Sequence, residues 1–393
     1  MADFLGAAAP CALFALVVGV HWHRHKKIRS QARVVTLDGP LLMGQDKWLG
    51  GVASFDGKFV YGAPGSARRV LRVELATGKV DLIGPEYEGK FKWLRGAECP
   101  KDQCLYCLPS NADTVLRIDP STQKVDTIGG PFPGDWKWHG GNVGTDGNVY
   151  GVPANAEQVL KIDTDTGKVS TFGGPFKGRQ KWYGGVNGAK GDIYCIPQTA
   201  TGVLKITPTT QMCEIIGDGL PEGGWKWHGG LCTEEGIIYG IPSNADVVLK
   251  IDTNTDEVTL IGGPSEIVSG RHRSDGKYKY LGGACGADNK IFLFPCDAER
   301  VLMIDTKTDE CRQIGPRFLD TTMNKWQNGF LAKDGCVYGI PQRAPGILKI
   351  SPPVHEGEDP VVSTLDCGEV NPLMRDKFEG AVMGGNGHIY CMP

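Results

Sequence analysis

The sequence predicts an all-β ring of repeated four-stranded blades, an eight-bladed β-propeller with seven blades as the alternative, on three observations. A lysine followed by an aromatic residue recurs at Trp48, Trp93, Trp138, Trp182, Trp227, Tyr280, Trp326 and Phe378, at intervals of 45, 45, 44, 45, 53, 46 and 52 residues. Each interval holds short apolar runs divided by turn residues, and four antiparallel strands in about 45 residues make one blade. The last copy, Phe378 to Pro393, supplies only two strands, while residues 33–40 match a fourth strand. Joining these ends in one eighth blade closes the ring and removes its exposed edges.

Lys137 to Gln180 shows how one copy divides. Strands are expected at Gly140–Gly144, Val149–Val152, Val159–Asp163 and Val169–Phe172. The first two are joined by Asp146-Gly147, a strong hairpin signal. Pro153 to Ala156 forms the next loop, and Thr164-Asp-Thr-Gly167 the last turn. The 56 glycines follow from this plan, since the innermost strand of each blade is crowded at the axis. The aromatic before each glycine pair fills the wedge between blades, where burial contributes roughly 1.5–3 kcal/mol.

Residues 1–29 read as a separate N-terminal region and 30–393 as the propeller. Phe4 to Val20 is seventeen residues without a charge, about 26 Å as a helix and within reach of a bilayer. Pro10 lies inside it and is able to kink it. Arg24, Lys26, Lys27 and Arg29 follow the stretch and only Asp3 precedes it. A secretory signal carries its positive charge in front. The arrangement therefore predicts one N-terminal hydrophobic helix, a single-pass anchor with the propeller on the cytosolic side or the equivalent side of an organelle membrane.

The net charge of −3 gives no footprint for nucleic acid. Thirteen cysteines lie without the close spacing of a disulfide-stapled domain. Cys99, Cys104 and Cys107 match the spacing of an iron–sulfur motif, but Cys107 shares its repeat slot with Cys195 and Cys391. They read as small core residues, and no cofactor is expected.

Asp146-Gly147, Tyr150, Ile162-Asp163 and Thr166-Gly167-Lys168-Val169, with counterparts in most copies, resemble the blades of NHL, YncE-like and virginiamycin-lyase-like propellers. The resemblance spans nearly everything after residue 33. WD dipeptides are absent, and kelch blades order their glycines and aromatics differently. It implies the fold and leaves function open.

Candidate binding residues fall on the face bearing the Lys-Trp starts. A lysine stands at Lys47, Lys92, Lys137, Lys181, Lys226, Lys279, Lys325 and Lys377. These form either a charged ring that attracts an acidic partner or a set of stems covering the neighbouring aromatics. After the aromatic come Leu49, Leu94, His139, Tyr183, His228, Leu281, Gln327 and Glu379, a position whose variation makes the axis polar on some sides only. His139, His228 and a carboxylate would suit metal-dependent lyase or hydrolase chemistry, yet the histidines stand two blades apart, and polar lining is favoured. Asn111, Asn155 and Asn244 recur in loops of the same face as turn caps or contacts. Two insertions break the period: a basic one at 265–278 with Arg271, Arg273 and Lys277, and an acidic one at 351–359 with Glu356, Glu358 and Asp359.

No complete catalytic constellation emerges. The expected function is a non-catalytic binding or scaffold propeller tethered to a membrane, an accessory subunit with protein partners in or at that membrane. The alternative is a metal-dependent lyase or hydrolase acting on a small molecule at the axis.

Overall fold

A computed structural model describes residues 34–40, 44–267, 277–319, 323–355 and 357–393. Seven sheets of four antiparallel strands follow one another along the chain, at 48–83, 93–128, 138–172, 182–216, 227–261, 280–314 and 326–366, here blades 1 to 7. In blade 3 the strands are Trp138–Val143, Val149–Pro153, Val159–Ile162 and Val169–Phe172. The aromatic thus opens the first strand rather than preceding it. Gly147, with φ 78°, supplies the left-handed turn that the hairpin requires.

The expectation of eight four-stranded blades is corrected to seven. The eighth place in the ring holds a two-stranded sheet, Gly380–Met383 with Ile389–Met392, packed between blades 7 and 1. Residues 34–40 form no strand, because a fourth strand pairs with a third, and the described residues contain none at this place. Side-chain packing locates the segment instead. Val34 lies against the apolar cluster of Tyr338, Ile389 and Cys391, and Leu37 against that of Trp48, Val60 and Tyr390.

The core is divided into eight clusters, one between each pair of neighbours in the ring. Second strands such as Leu105–Pro109 are buried along their whole length, whereas fourth strands such as Val169–Phe172 are mostly half-exposed. The tryptophans explain their own prevalence. Each indole N–H donates to the carbonyl just before or at the start of the third strand of its blade, as Trp93 to Thr114 at 2.8 Å and Trp182 to Gly202 at 2.9 Å. Tyr280 lacks that donor, and its hydroxyl has no partner. Cys107 and Cys99 fall in different clusters, so they do not converge on one ligand, and the described cysteines are free.

The lysines form no surface ring of charge. All eight are buried, at 2–8% exposure, and they hold the blades together. Lys181 Nζ donates to Ala154 O at 2.8 Å and Ala156 O at 3.0 Å in the preceding blade, and to Gly178 O at 3.2 Å. Lys92 reaches Gly65 O, Ala67 O and Gly89 O in the same way. Lys137 and Lys226, expected as binding residues, are spent on such contacts. Their backbones continue the pattern: the N–H groups of Lys92, Lys137, Lys181, Lys226, Lys279, Lys325 and Lys377 donate to Gly65, Ser110, Ala154, Gln198, Ser243, Cys296 and Gln342 of the blade before. Burial pushes the ammonium of Lys92, Lys181, Lys226 and Lys325 down to about 8. Three carbonyl acceptors, as around Lys92 and Lys181, favour the ammonium with its three N–H donors over the neutral amine, whose lone pair would face an oxygen.

Among the described residues no helix is long and apolar enough to cross a membrane; one short helix is present, Pro264–Ile267. The expected anchor at residues 4–20 and its basic flank lie outside the described residues, as do Arg271 and Arg273. In the acidic insertion Asp359 pairs with Arg312 of blade 6 at 2.7 Å.

Two outcomes are expected. Lys181→Met retains the stem and removes three hydrogen bonds, of whose acceptors Ala154 O keeps the N–H of residue 181, so the domain should lose about 2–4 kcal/mol in denaturant melts; an unchanged midpoint would show that the ammonium does not hold the blades. Deleting residues 1–40 should lower stability by about 2 kcal/mol relative to deleting 1–33, through loss of the partly buried Val34 and Leu37. Equal melts for the two truncations would contradict that packing.

Candidate axial binding site

The residue before each lysine adopts a left-handed backbone: Asp46, Phe91, Trp136, Gln180, Trp225, Tyr278, Asn324 and Asp376, with φ between 50° and 62°. The loop asparagines help to fix this turn. Asn111 Oδ1 accepts the N–H of Trp136 at 2.8 Å, Asn155 that of Gln180 at 2.8 Å, and Asn244 that of Tyr278 at 3.0 Å. Their amides donate back to Lys90, Asp135 and Gly224 carbonyls. Asn111, Asn155 and Asn244 are therefore clasps between successive blades, and none of them lines the axial cavity.

The left-handed turn directs the side chains of this ring to the mouth of the axis. There Asp46, Phe91, Trp136, Gln180 and Trp225 join Leu49, Leu94, Arg95, His139, Tyr183, Gln327 and Glu379 around a cavity of about 370 Å³. Phe91 and Trp136 meet at 5.1 Å between ring centroids, and Trp225 meets Tyr183 at 6.2 Å and Tyr278 at 5.9 Å. Aromatic rings thus cover blades 2 to 6, whereas Asp46, Asp376 and Glu379 stand where the two-stranded sheet meets blade 1. Beneath the aromatic arc, His139 stacks on Tyr183 at 3.6 Å and Tyr183 contacts His228 at 4.1 Å.

Four of the expected residues, His139, Tyr183, Gln327 and Glu379, come to this cavity, with His228 directly behind Tyr183. The tyrosine ring lies between the imidazoles and keeps them off a common ligand. Among the described residues no three His, Cys, Asp or Glu side chains converge as a metal site. Phe91, Trp136, Trp225, Asp46 and Arg95 were not anticipated. The first four lie one place before the repeated lysine. Arg95 interrupts the glycine pair, as Asn328 does in blade 7.

Burial, then the nearby Arg95 charge, holds both imidazoles low, His228 at about 3, so they are neutral at pH 7. Burial pushes the Tyr183 phenol up to about 12. Glu379 is pushed up to about 7, first by burial and then by the Asp46 and Asp376 carboxylates. A hydrogen bond from Gln342 Nε2 at 3.0 Å and the Arg95 charge act against that rise. Three buried atoms of the lining have no partner: Ser110 Oγ, His139 Nδ1 and Gln198 Nε2.

A repeat family of unknown function, DUF6923, matches residues 47–215. No curated protein matches the chain. Among solved structures, a streptogramin B lyase shares the fold at 14% identity and a TM-score of 0.55, over 76% of this chain and 92% of that one. Virginiamycin B lyase from Staphylococcus aureus does so at 15% and 0.56, over 75% and 92%. Kuenenia stuttgartiensis hydrazine synthase does so at 15% and 0.54, over 80% and 99%. The chain is a repeat-based propeller similar in fold to the virginiamycin-lyase-like group, as its blade motif implies, and such likeness carries fold alone.

The raised Glu379 fixes the sign of a pH effect. Its carboxyl is at no disadvantage in the fold below its ordinary value of 4.5, and stability is lost as pH rises from there through about 7. Glu379→Gln should therefore melt with the wild type at pH 4.5 and above it by pH 8. A difference that does not change with pH would show that Glu379 is not the buried acid described.

Proposed function

We propose that this chain is a non-catalytic binding propeller, held at a membrane by an N-terminal helix over residues 4–20, which takes its ligand at the axial mouth. In this reading the protein serves as an accessory subunit that presents the mouth to a membrane complex.

One observation carries the binding reading. A left-handed backbone costs a residue with a side chain about 1–2 kcal/mol, and only Gly, Asn and Asp enter it readily. Asn324 and the two aspartates suit that ring position, whereas Phe91, Trp136, Trp225 and Tyr278 are costly there. Half-buried at an open mouth, these four add little to the core. Strain kept where side chains face a cavity points to use of the cavity. The rival reading, a metal-dependent lyase or hydrolase, draws on the names of similar folds and on His139 and His228, which Tyr183 separates.

Native mass spectrometry of the full chain, extracted from membranes in mild detergent, tests the reading. A bound species is expected on the wild type and absent from Trp136→Ala/Trp225→Ala. Its persistence on that variant, or stoichiometric metal lost with His139→Ala/His228→Ala, would overturn it. Deletion of residues 1–29 should release the propeller from the membrane fraction.

A further inference from the structure

The first residue of each glycine pair stands two places after the repeated aromatic, directly after the slot that holds Leu49, Leu94, His139, Tyr183, Gln327 and Glu379 of the cavity lining. Six of the eight are glycine, at 50, 140, 184, 229, 282 and 380, and the exceptions are Arg95 and Asn328. These two meet: Arg95 Nη2 donates to Asn328 Oδ1 at 3.1 Å, from blade 2 to blade 7 across the axis. Asn328 is oriented for this by its own amide, which donates to Glu379 O at 2.8 Å. Gly50 makes room for the crossing, since a Cβ there would lie 2.9 Å from Arg95 Cγ. The departures from the repeat thus form one device that places a guanidinium on the axis.

That guanidinium has five N–H donors, and the bond to Asn328 uses one of them. Among the described residues no carboxylate pairs with it, although other arginines of the fold, such as Arg117 with Asp126 at 2.7 Å, are so neutralised. A Cβ on Gly184 or Gly229 would meet nothing within 4 Å, so space is left open beside these blades. His139 and Tyr183 line the cavity as neutral rings, packed on each other and on His228 behind them.

Resting on the binding reading above, we propose that the ligand is a planar aromatic carboxylate, its carboxylate seated on Arg95 and its ring packed against His139, Tyr183 and Trp136 of the cavity lining. A carboxylate matches the guanidinium fork with two parallel hydrogen bonds, and edge-to-face contact with the lining rings suits an aromatic body. A cationic ligand would be repelled at Arg95, although Asp46 and Glu379 also line the cavity, so the ammonium probe below decides between the two ends. A neutral one would bury that charge without an ionic partner, which costs several kcal/mol.

Three probes of one shape test this by calorimetry on the full chain: 2-naphthoate, 2-naphthamide and 2-naphthylmethylammonium. The carboxylate should bind at least about tenfold more tightly than the amide, and the ammonium most weakly. Arg95→Gln should bring carboxylate and amide to the same affinity, and Asn328→Ala, which leaves the guanidinium in place, should weaken the carboxylate less. Melting curves would establish that both variants are folded. Equal binding of all three probes, lost in Trp136→Ala/Trp225→Ala, would overturn the carboxylate and leave the binding reading standing. Preference for the ammonium would replace the proposed ligand with a cation. No binding of any probe would remove the proposed ligand class, and if mass spectrometry also finds no bound species, the binding reading falls with it.

Discussion

A buried ammonium group whose hydrogens are taken by backbone carbonyls is the interaction on which the ring depends. Blades are flat sheets, and two apolar faces packed together fix separation better than register, because the hydrophobic effect has no direction. The lysine before each aromatic supplies direction. Its Nζ selects carbonyls at fixed points of the preceding loop, and its backbone N–H donates to one of the same carbonyls, Ala154 O in the case of Lys181. Burying a charge is tolerable only when it is fully solvated by such groups, so a blade that slid or rotated would leave both amine and carbonyls unsatisfied.

Much else follows from that geometry. For the lysine to turn back toward the previous blade, the residue before it must take the left-handed turn, and the loop asparagines stabilise it there by accepting its N–H. The same turn points the preceding side chain at the axis. Structure and site are therefore coupled: the residues that join the blades are the ones that decide what the mouth of the propeller displays. A repeat can keep its lysine, asparagine and tryptophan constant while varying one residue on each blade, and the cavity wall changes without disturbing the ring.

The strands and turns of each blade were legible because Asp-Gly turns, alternating apolar residues and a period near 45 are local signals. The histidines, Tyr183, Gln327 and Glu379 were legible as axial because they share one slot of a repeat. The role of the lysines was not: a charge recurring eight times reads as easily as a surface feature, and the carbonyls that bury it lie in another blade about 25 residues earlier. Phe91, Trp136 and Trp225 were hidden because left-handed conformation in a non-glycine residue has no sequence signal, and aromatic residues would be placed there last. Arg95 and Asn328 carried a signal, the broken glycine pair, whose meaning needed the closed ring that brings blades 2 and 7 together. The eighth blade was overdrawn because similarity of 33–40 to a fourth strand says nothing of a missing third.

The eight separate core clusters give the molecule an uneven mechanical character. A closed ring of similar units, each packing its core against its two neighbours, shares load in the way links of a chain do. Among the described residues seven links are four strands deep, and the eighth is two. Thermal fluctuation that widens the ring therefore concentrates at the thin link, where the fewest hydrogen bonds and apolar contacts resist it. Glu379 and the Asp46 side of the axial mouth stand at that seam, while the aromatic arc lies on blades of full depth. One half of the mouth is built to hold its shape, and the other half is the part able to give.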